Sequence, residues 1–268
     1  CGKDDKEDGS GQMYDLSRNG NPQSLDPQFA NDSASNTVIK NLYSGLMRVD
    51  KMGNVVCCNA KKYEVSPSGM VYTFTLKDDN FWFYDANDDD VITEDEYFPV
   101  TAYDYAFALR RVLDPRMKSP YREQFSCIVG AFEVMNGLEP LDFAEIHVDD
   151  EKTLKIVLNV PNAEFLQLMA SPAAYPCNEE FFNSTKGRYG LDDRSVMSNG
   201  AFFVRQWFYD PYGSNNILYM KRNDANWSTT YDIMPSFLSF SIEDNEEDIR
   251  AVFKEGETEC FTTRNRSP

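Results

Sequence analysis

The densest run of chemically capable side chains is Asp-Ala-Asn-Asp-Asp-Asp-Val-Ile-Thr-Glu-Asp-Glu, residues 85–96. Seven of the twelve are acidic, and no Lys or Arg occurs from Asp78 to Leu109. Like charge at that density costs energy unless water or a cation neutralises it. Oxygen side chains at positions 1, 3, 5, 9 and 12, with an aliphatic residue at 8 and a carboxylate at 12, are the ligand spacing of a calcium loop. Asp85, Asn87, Asp89, Thr93 and Glu96 fill those places, Ile92 sits at the aliphatic position, and Val91 offers its backbone carbonyl. Two features depart from the pattern: Asp90 stands where the sharp turn asks for glycine, and the residues before the run read as strand. The run is either a calcium site or a solvated acidic loop.

The rest of the chain offers little to an enzyme. His147 is the only histidine, so a histidine-based triad or multi-histidine metal site has at most that one residue to build on. It lies just before the turn 149–152, where it reads as an outward strand residue. No nucleophile–base pairing is visible. Besides Cys1 there are five cysteines, Cys57, Cys58, Cys127, Cys177 and Cys260; five is odd, so at least one is free or bridges between molecules. There is no CxxC spacing of the zinc or thioredoxin kind. A net charge of −18 argues against nucleic acid and against basic-patch docking on anionic lipid. With 41% hydrophobic and 14% aromatic residues, the chain can pack a core, yet no apolar run approaches membrane-spanning length.

Hydrophobic period sets the elements. Tyr72, Phe74 and Leu76 alternate with Thr73, Thr75 and Lys77, the pattern of a half-buried strand. Thr101 with Asp104 three residues on is a variant capping box, and Tyr105, Ala108, Leu109 and Val112 share one helical face until Asp114-Pro115. Upstream, Ser33 or Ser35 caps a helix striped by Val38, Ile39, Leu42 and Tyr43 and stopped at Gly45. Residues 13–16 read as a strand. Two short strands within 47–64 run into the strand at 72–76 as an antiparallel meander. Residues 125–137 read as one helix with a glycine stop, 146–148 and 153–158 as a hairpin, and 201–207, 218–220 and 237–242 as strands. Asn245 caps a last helix ending at Gly256.

The wording of these elements says more. Tyr72-Thr73-Phe74-Thr75-Leu76, Trp82, Pro99-Val100-Thr101-Ala102, Asp104, Arg111, Asp114-Pro115 and Ser119-Pro120-Tyr121 form one signature. Ser24-Leu25-Asp26-Pro27 with Asn41-Leu42-Tyr43 and Gly45-Leu46 form a second, and Asn199-Gly200-Ala201, Asn223 and Trp227 add to them. Together they resemble the dipeptide/oligopeptide-binding proteins that feed ABC importers, the extracellular solute-binding proteins of family 5. The resemblance covers nearly all of residues 13–262; the acidic run stands where the family has a short Asp-Gly turn.

That resemblance implies an α/β fold of the periplasmic-binding-protein type (class II, peptide-binding), with mixed sheets and an N-terminal lobe carrying an inserted middle domain. Residues 1–12 would be a flexible tether, 13–43 and 178–268 the discontinuous lobe, and 44–177 the insert. The family continues for roughly as much chain again, which builds a second lobe and much of the pocket. After the Leu-Asp-Pro turn its segment lines the cleft and pairs with extended peptide, which here points to Asn31 and Ser33; Tyr121 would reach toward the ligand. Cys1 followed by a polar tether resembles a mature lipoprotein whose thiol carries the lipid anchor. The implied partners are peptides, an ABC permease and, through the anchor, the outer face of the cytoplasmic membrane. No catalysis is implied. The acidic run leaves a second reading, a calcium-dependent cell-surface interaction module with no transport role.

Overall fold

The computed structural model describes residues 13–89, 92–212, 216–224, 236–243 and 260–262. In chain order the elements are β1 (Met13–Asn19), α1 (Ser33–Leu42), β2 (Met47–Val49), β3 (Val55–Cys57), β4 (Ala60–Val65), β5 (Val71–Leu76), β6 (Phe81–Phe83) and β7 (Tyr97–Pro99). There follow α2 (Ala102–Leu113), α3 (Ala131–Met135), β8 (Ile146–Asp150), β9 (Thr153–Val157), α4 (Phe165–Met169) and α5 (Glu179–Ser184). The last strands are β10 (Phe202–Phe208), β11 (Ile217–Arg222), β12 (Phe237–Glu243) and β13 (Cys260–Thr262).

Two larger sheets carry the fold. One has five strands in the order β10-β11-β12-β1-β13 and is mixed: β1 runs parallel to both β12 and β13, the other pairs antiparallel. The other has four antiparallel strands in the order β4-β5-β9-β8. Every strand of the four-stranded sheet lies within residues 44–177, and every strand of the five-stranded sheet lies outside them.

Alternation shapes β5 as read from its residues: Tyr72, Phe74 and Leu76 are buried, and their neighbours are half-buried. Helix α2 buries Tyr105, Ala108, Leu109 and Val112. Its capping box is formed, with the Thr101 amide donating to Asp104 Oδ2 at 2.7 Å. Asp104 also accepts from the Trp82 indole at 3.1 Å and from the Asn178 amide at 3.4 Å, so one buried carboxylate joins the strand, the helix and the chain entering α5.

Burial pushes the Asp104 carboxyl up, against hydrogen bonds from Thr101, Trp82 and Asn178 that favour its charged form. A carboxyl raised in the fold holds its proton more tightly folded than unfolded. Its contribution is therefore fully present below the unfolded pKa and is lost as pH rises through the folded one. The parent is expected to gain thermal stability relative to Asp104→Asn as pH falls from neutral into the carboxylate range. A melting-temperature difference that stays constant with pH would refute this.

Four expectations need correction. The cap of α1 is Asp32, whose Oδ1 accepts from the Ser35 amide at 2.8 Å. Ser35 instead turns its hydroxyl back to the Gln23 and Ser24 amides. The helix ends at Leu42 because Tyr43 is already extended, before Gly45 is reached. The meander is split: β2 and β3 form their own hairpin, since the Cys58 and Asn59 amides bond to the Leu46 and Gly45 carbonyls and turn the chain away before β4. Residues 125–137 are not one helix. Gly130 has φ +81, and a Cβ there would stand 2.6 Å from the Phe143 carbonyl oxygen, so the chain turns at that point and only α3 is α-helical. Ile128 bridges Leu158 beside the four-stranded sheet. The helix expected from Asn245 to Gly256, Trp227, Cys1 and the tether lie outside the described residues.

Candidate functional site

The segment after the Leu-Asp-Pro turn is built from below by a buried polar hub. The Phe29 and Ala30 amides bond back to the Asp26 carbonyl, closing a turn. Beneath it Arg111 of α2 and Asp26 form a two-point ion pair, Nη2–Oδ2 2.5 Å and Nη1–Oδ1 3.3 Å, with side chains 4% and 7% exposed. Arg111 also donates to Gln28 Oε1 at 2.8 Å and to Cys177 Sγ at 3.3 Å. Its guanidinium lies over the Phe182 ring at 4.2 Å. Gln28 in turn donates to the Tyr175 and Ala173 carbonyls. Burial opposes the Arg111 charge, and its neighbours, Asp26 among them, more than offset that, so the guanidinium stays ionised. Burial pushes the Cys177 thiol up to about 12, so at neutral pH it is a thiol.

The Ser-Pro-Tyr motif finishes the clamp. Ser119 Oγ donates to the Gln28 carbonyl at 2.6 Å, and the Tyr121 hydroxyl donates to the Ala30 carbonyl. The structure therefore brings Tyr121 to the segment that carries Asn31 and Ser33, as a positioning contact. Asn31 and Ser33 are exposed, and Phe29 between hub and solvent is 50% exposed. Among the described residues no hydrogen bond pairs Asn31. The result is a short stretch of chain with a fixed underside and an open face.

A second staple lies across the sheets. Asn199, fully buried, accepts from the Ser44 amide at 3.0 Å through Oδ1, and its Nδ2 donates to the Ser44 carbonyl and to Asn80 Oδ1. The Phe83 amide donates to the Ser198 carbonyl at 2.7 Å, tying the β6–β7 hairpin to the chain entering β10.

The acidic run leaves this hairpin. Asp85 and Glu96 are buried, while Asn87, Asp88 and Asp89 are exposed. Glu96 accepts from the Ala86 amide at 2.9 Å and from the Thr93 amide and hydroxyl at 3.0 Å each, which closes the loop on itself. Asp85 Oδ1 accepts from the Asp89 amide, and Asn87 donates to Asp89. Asp85 and Asp88 both pair with Arg205. Among the described residues no group of three or more His, Cys, Asp or Glu is arranged to hold a metal ion, and Val91 lies outside them. His147 points outward on β8 with its Nε2 2.5 Å from Glu145. Cys57, Cys58, Cys127 and Cys177 are free thiols.

The signatures point to Asn31, Ser33 and Tyr121 and give no sign of what holds their segment. Asp26 and Arg111 appear in the signatures as letters; only the fold shows them paired across 85 residues. Arg205 gave no signal.

Among solved structures, the substrate-binding domain of an oligopeptide ABC transporter from Bacillus anthracis str. Ames matches with a TM-score of 0.80 and 25% identity, over 92% of this chain and 44% of its own. The fold is thus of the periplasmic-binding-protein class, mixed sheets and helices included. The chain belongs to the bacterial extracellular solute-binding proteins, family 5, whose middle-region signature matches residues 54–252. The oligopeptide-binding protein OppA of Bacillus subtilis (strain 168) is 34% identical over 206 residues, 77% of this chain and 35% of OppA. The dipeptide-binding protein of Lactococcus lactis subsp. cremoris (strain MG1363) is 30% identical over 182 residues, 68% of this chain and 31% of that protein. The chain thus spans about a third of the length of these relatives. Among the described residues no helix is long and apolar enough to cross a membrane.

Proposed function

We propose that this chain supplies one wall of a peptide-binding cleft in the substrate-binding subunit of an ABC importer. Extended peptide would lie along residues 29–33, held chiefly by main-chain hydrogen bonds at Asn31 and Ser33, a mode that tolerates varied side chains. The observation that carries this reading is the clamp itself. Arg111, Gln28, Ser119 and Tyr121 fix the underside of the segment and leave its outer face open. Membership of a solute-binding family and relatives named for peptide binding support it. The inserted region 44–177 would be a domain against which a second lobe closes by a hinge motion. In this reading Cys1 carries a lipid anchor, the protein works on the outer face of the cytoplasmic membrane, and a permease receives the loaded form. Nothing is catalysed.

Amide-resolved NMR titration with a mixture of tri- to pentapeptides tests it. Perturbations are expected at residues 29–33 and at Tyr121. Tyr121→Phe removes the hydroxyl that holds the Ala30 carbonyl, and is expected to weaken binding about 3- to 10-fold, the worth of one hydrogen bond. Its thermal stability should change little. Perturbations elsewhere, with 29–33 silent, would defeat the reading.

A further inference from the structure

The acidic loop is tied to a strand more than a hundred residues away, and the tie is built into the backbone. In β10 the register against β11 slips between Val204 and Gln206, leaving Arg205 as the extra residue of a β-bulge. Bulges re-aim the side chain they carry. Here the aim is the start of the acidic loop. Arg205 Nη1 stands 3.1 Å from Asp85 Oδ2 and 2.9 Å from Asp88 Oδ1, bridging two carboxylates with one nitrogen. The Arg205 and Asp85 side chains are 15% and 5% exposed, so this is a largely desolvated pair. Asp88 adopts φ 63, a left-handed conformation that a short polar side chain tolerates, which turns its carboxylate toward the same nitrogen. Arg194 adds a second cation, 3.3 Å from Asp88 Oδ1, and donates to the Ala86 carbonyl at 3.2 Å. The Arg205 hydrogen bond holds the Asp88 carboxyl below its usual range.

We propose that Arg205 is the resident cation of the acidic loop, neutralising the charge that its spacing would otherwise assign to calcium, and that it latches the loop to β10. The two roles exclude each other at this place. A calcium ion needs six to eight oxygens at about 2.3–2.6 Å. Asp85, at the first position of the spacing, already faces a guanidinium, and Glu96, at the last, already accepts three hydrogen bonds from Ala86 and Thr93. A divalent ion placed among them would meet a positive charge about one hydrogen-bond length away. Unlike calcium, the guanidinium cannot dissociate, so Asp85 and Asp88 keep their cation whatever the external calcium level.

Thermal melts of the whole chain in millimolar calcium and in EDTA test this. The parent is expected to melt identically in both. Arg205→Met is expected to melt about 4–8 °C lower in EDTA, as for a largely buried ion pair broken on one side. It should recover part of that loss in calcium, because Asp85 and Asp88 have then lost their principal cation. A parent that rises in calcium, an Arg205→Met variant as stable as the parent, or one that calcium does not help, would each overturn the proposal. If Arg205→Met does not fold, Arg205→Met with Asp85→Asn decides. The paired change removes the unpaired buried charge, and is expected to fold and to be calcium-silent; failure of the double variant to fold would count against Arg205 acting through Asp85. None of these readouts depends on peptide binding.

Discussion

Replacing Arg111 with methionine is expected to lower the stability of the fold by about 3–5 kcal/mol, the cost of breaking a buried ion pair from one side. The cause is what stays behind. The Asp26 side chain is 7% exposed; without the two guanidinium contacts its carboxylate keeps the Gln28 amide as a donor but is buried with no counter-charge. The Gln28 Oε1 acceptor loses its donor at the same time. Methionine fills much of the volume under the Phe182 ring, so a cavity does not explain the loss. Two companion variants separate charge from shape. Arg111→Lys keeps the charge but not the two-point fork, and is expected to recover only part of the stability. Asp26→Asn in the Arg111→Met background removes the stranded charge and is expected to be more stable than Arg111→Met alone. Urea denaturation, read as a change in midpoint at constant slope, checks all three. A midpoint for Arg111→Met within about 0.5 kcal/mol of the parent, the range of ordinary surface changes, would show that the hub does not hold the segment.

Gly190→Ala is the second large effect, expected to cost about 3 kcal/mol or more. Gly190 has φ +76, a conformation that already costs an alanine about 1–2 kcal/mol. The added Cβ would also stand 2.4 Å from the Asp26 amide nitrogen and 2.9 Å from the Leu25 carbonyl carbon. Those are backbone atoms of the turn that the hub supports. They cannot swing away, because the Leu25 amide donates to the Gly190 carbonyl at 2.7 Å and holds the two strands of chain together. The substitution therefore pushes directly on the backbone at Leu25 and Asp26, where the hub begins. Besides the lower urea midpoint, altered amide shifts at residues 26–31 are expected. A variant as stable as the parent, with those shifts unmoved, would mean the contact is not as close as the structure places it.

How much of this was legible before the structure depends on the distance over which each cause acts. Local causes were legible. The alternation of Tyr72, Phe74 and Leu76 and the capping box of Thr101 with Asp104 are set by neighbours two and three residues away, and both appear as read. The helix read over 125–137 failed because the deciding contact, Phe143 against Gly130, comes from a turn further along the chain. The spacing offers Ser33 or Ser35 as the cap of α1 because Ser, Asp and Asn cap about equally well; the choice of Asp32 follows from Ser35 being drawn to the Gln23 and Ser24 amides. In the candidate site, the wording of the signatures points to Asn31, Ser33 and Tyr121 as ligand contacts. That Tyr121 faces the Ala30 carbonyl depends on tertiary placement. The acidic run was legible as a charge in need of a partner. Its partner lies on β10, exposed to view only by a register slip that no hydrophobic pattern records.

The place of β1 carries a consequence for how the molecule is made. Met13 pairs with Phe237, and Leu16 with Cys260, so β1 is flanked on both sides by strands that emerge long after it. Contacts of such long sequence separation form slowly, because closing the intervening loop is entropically costly before any pairing rewards it. During synthesis β1 must wait for these two partners, while the four-stranded sheet between 60 and 157 already has all its members. The four-stranded sheet is thus the part able to assemble first on the ribosome, and the waiting strand is the part that a chaperone or secretion factor would find open.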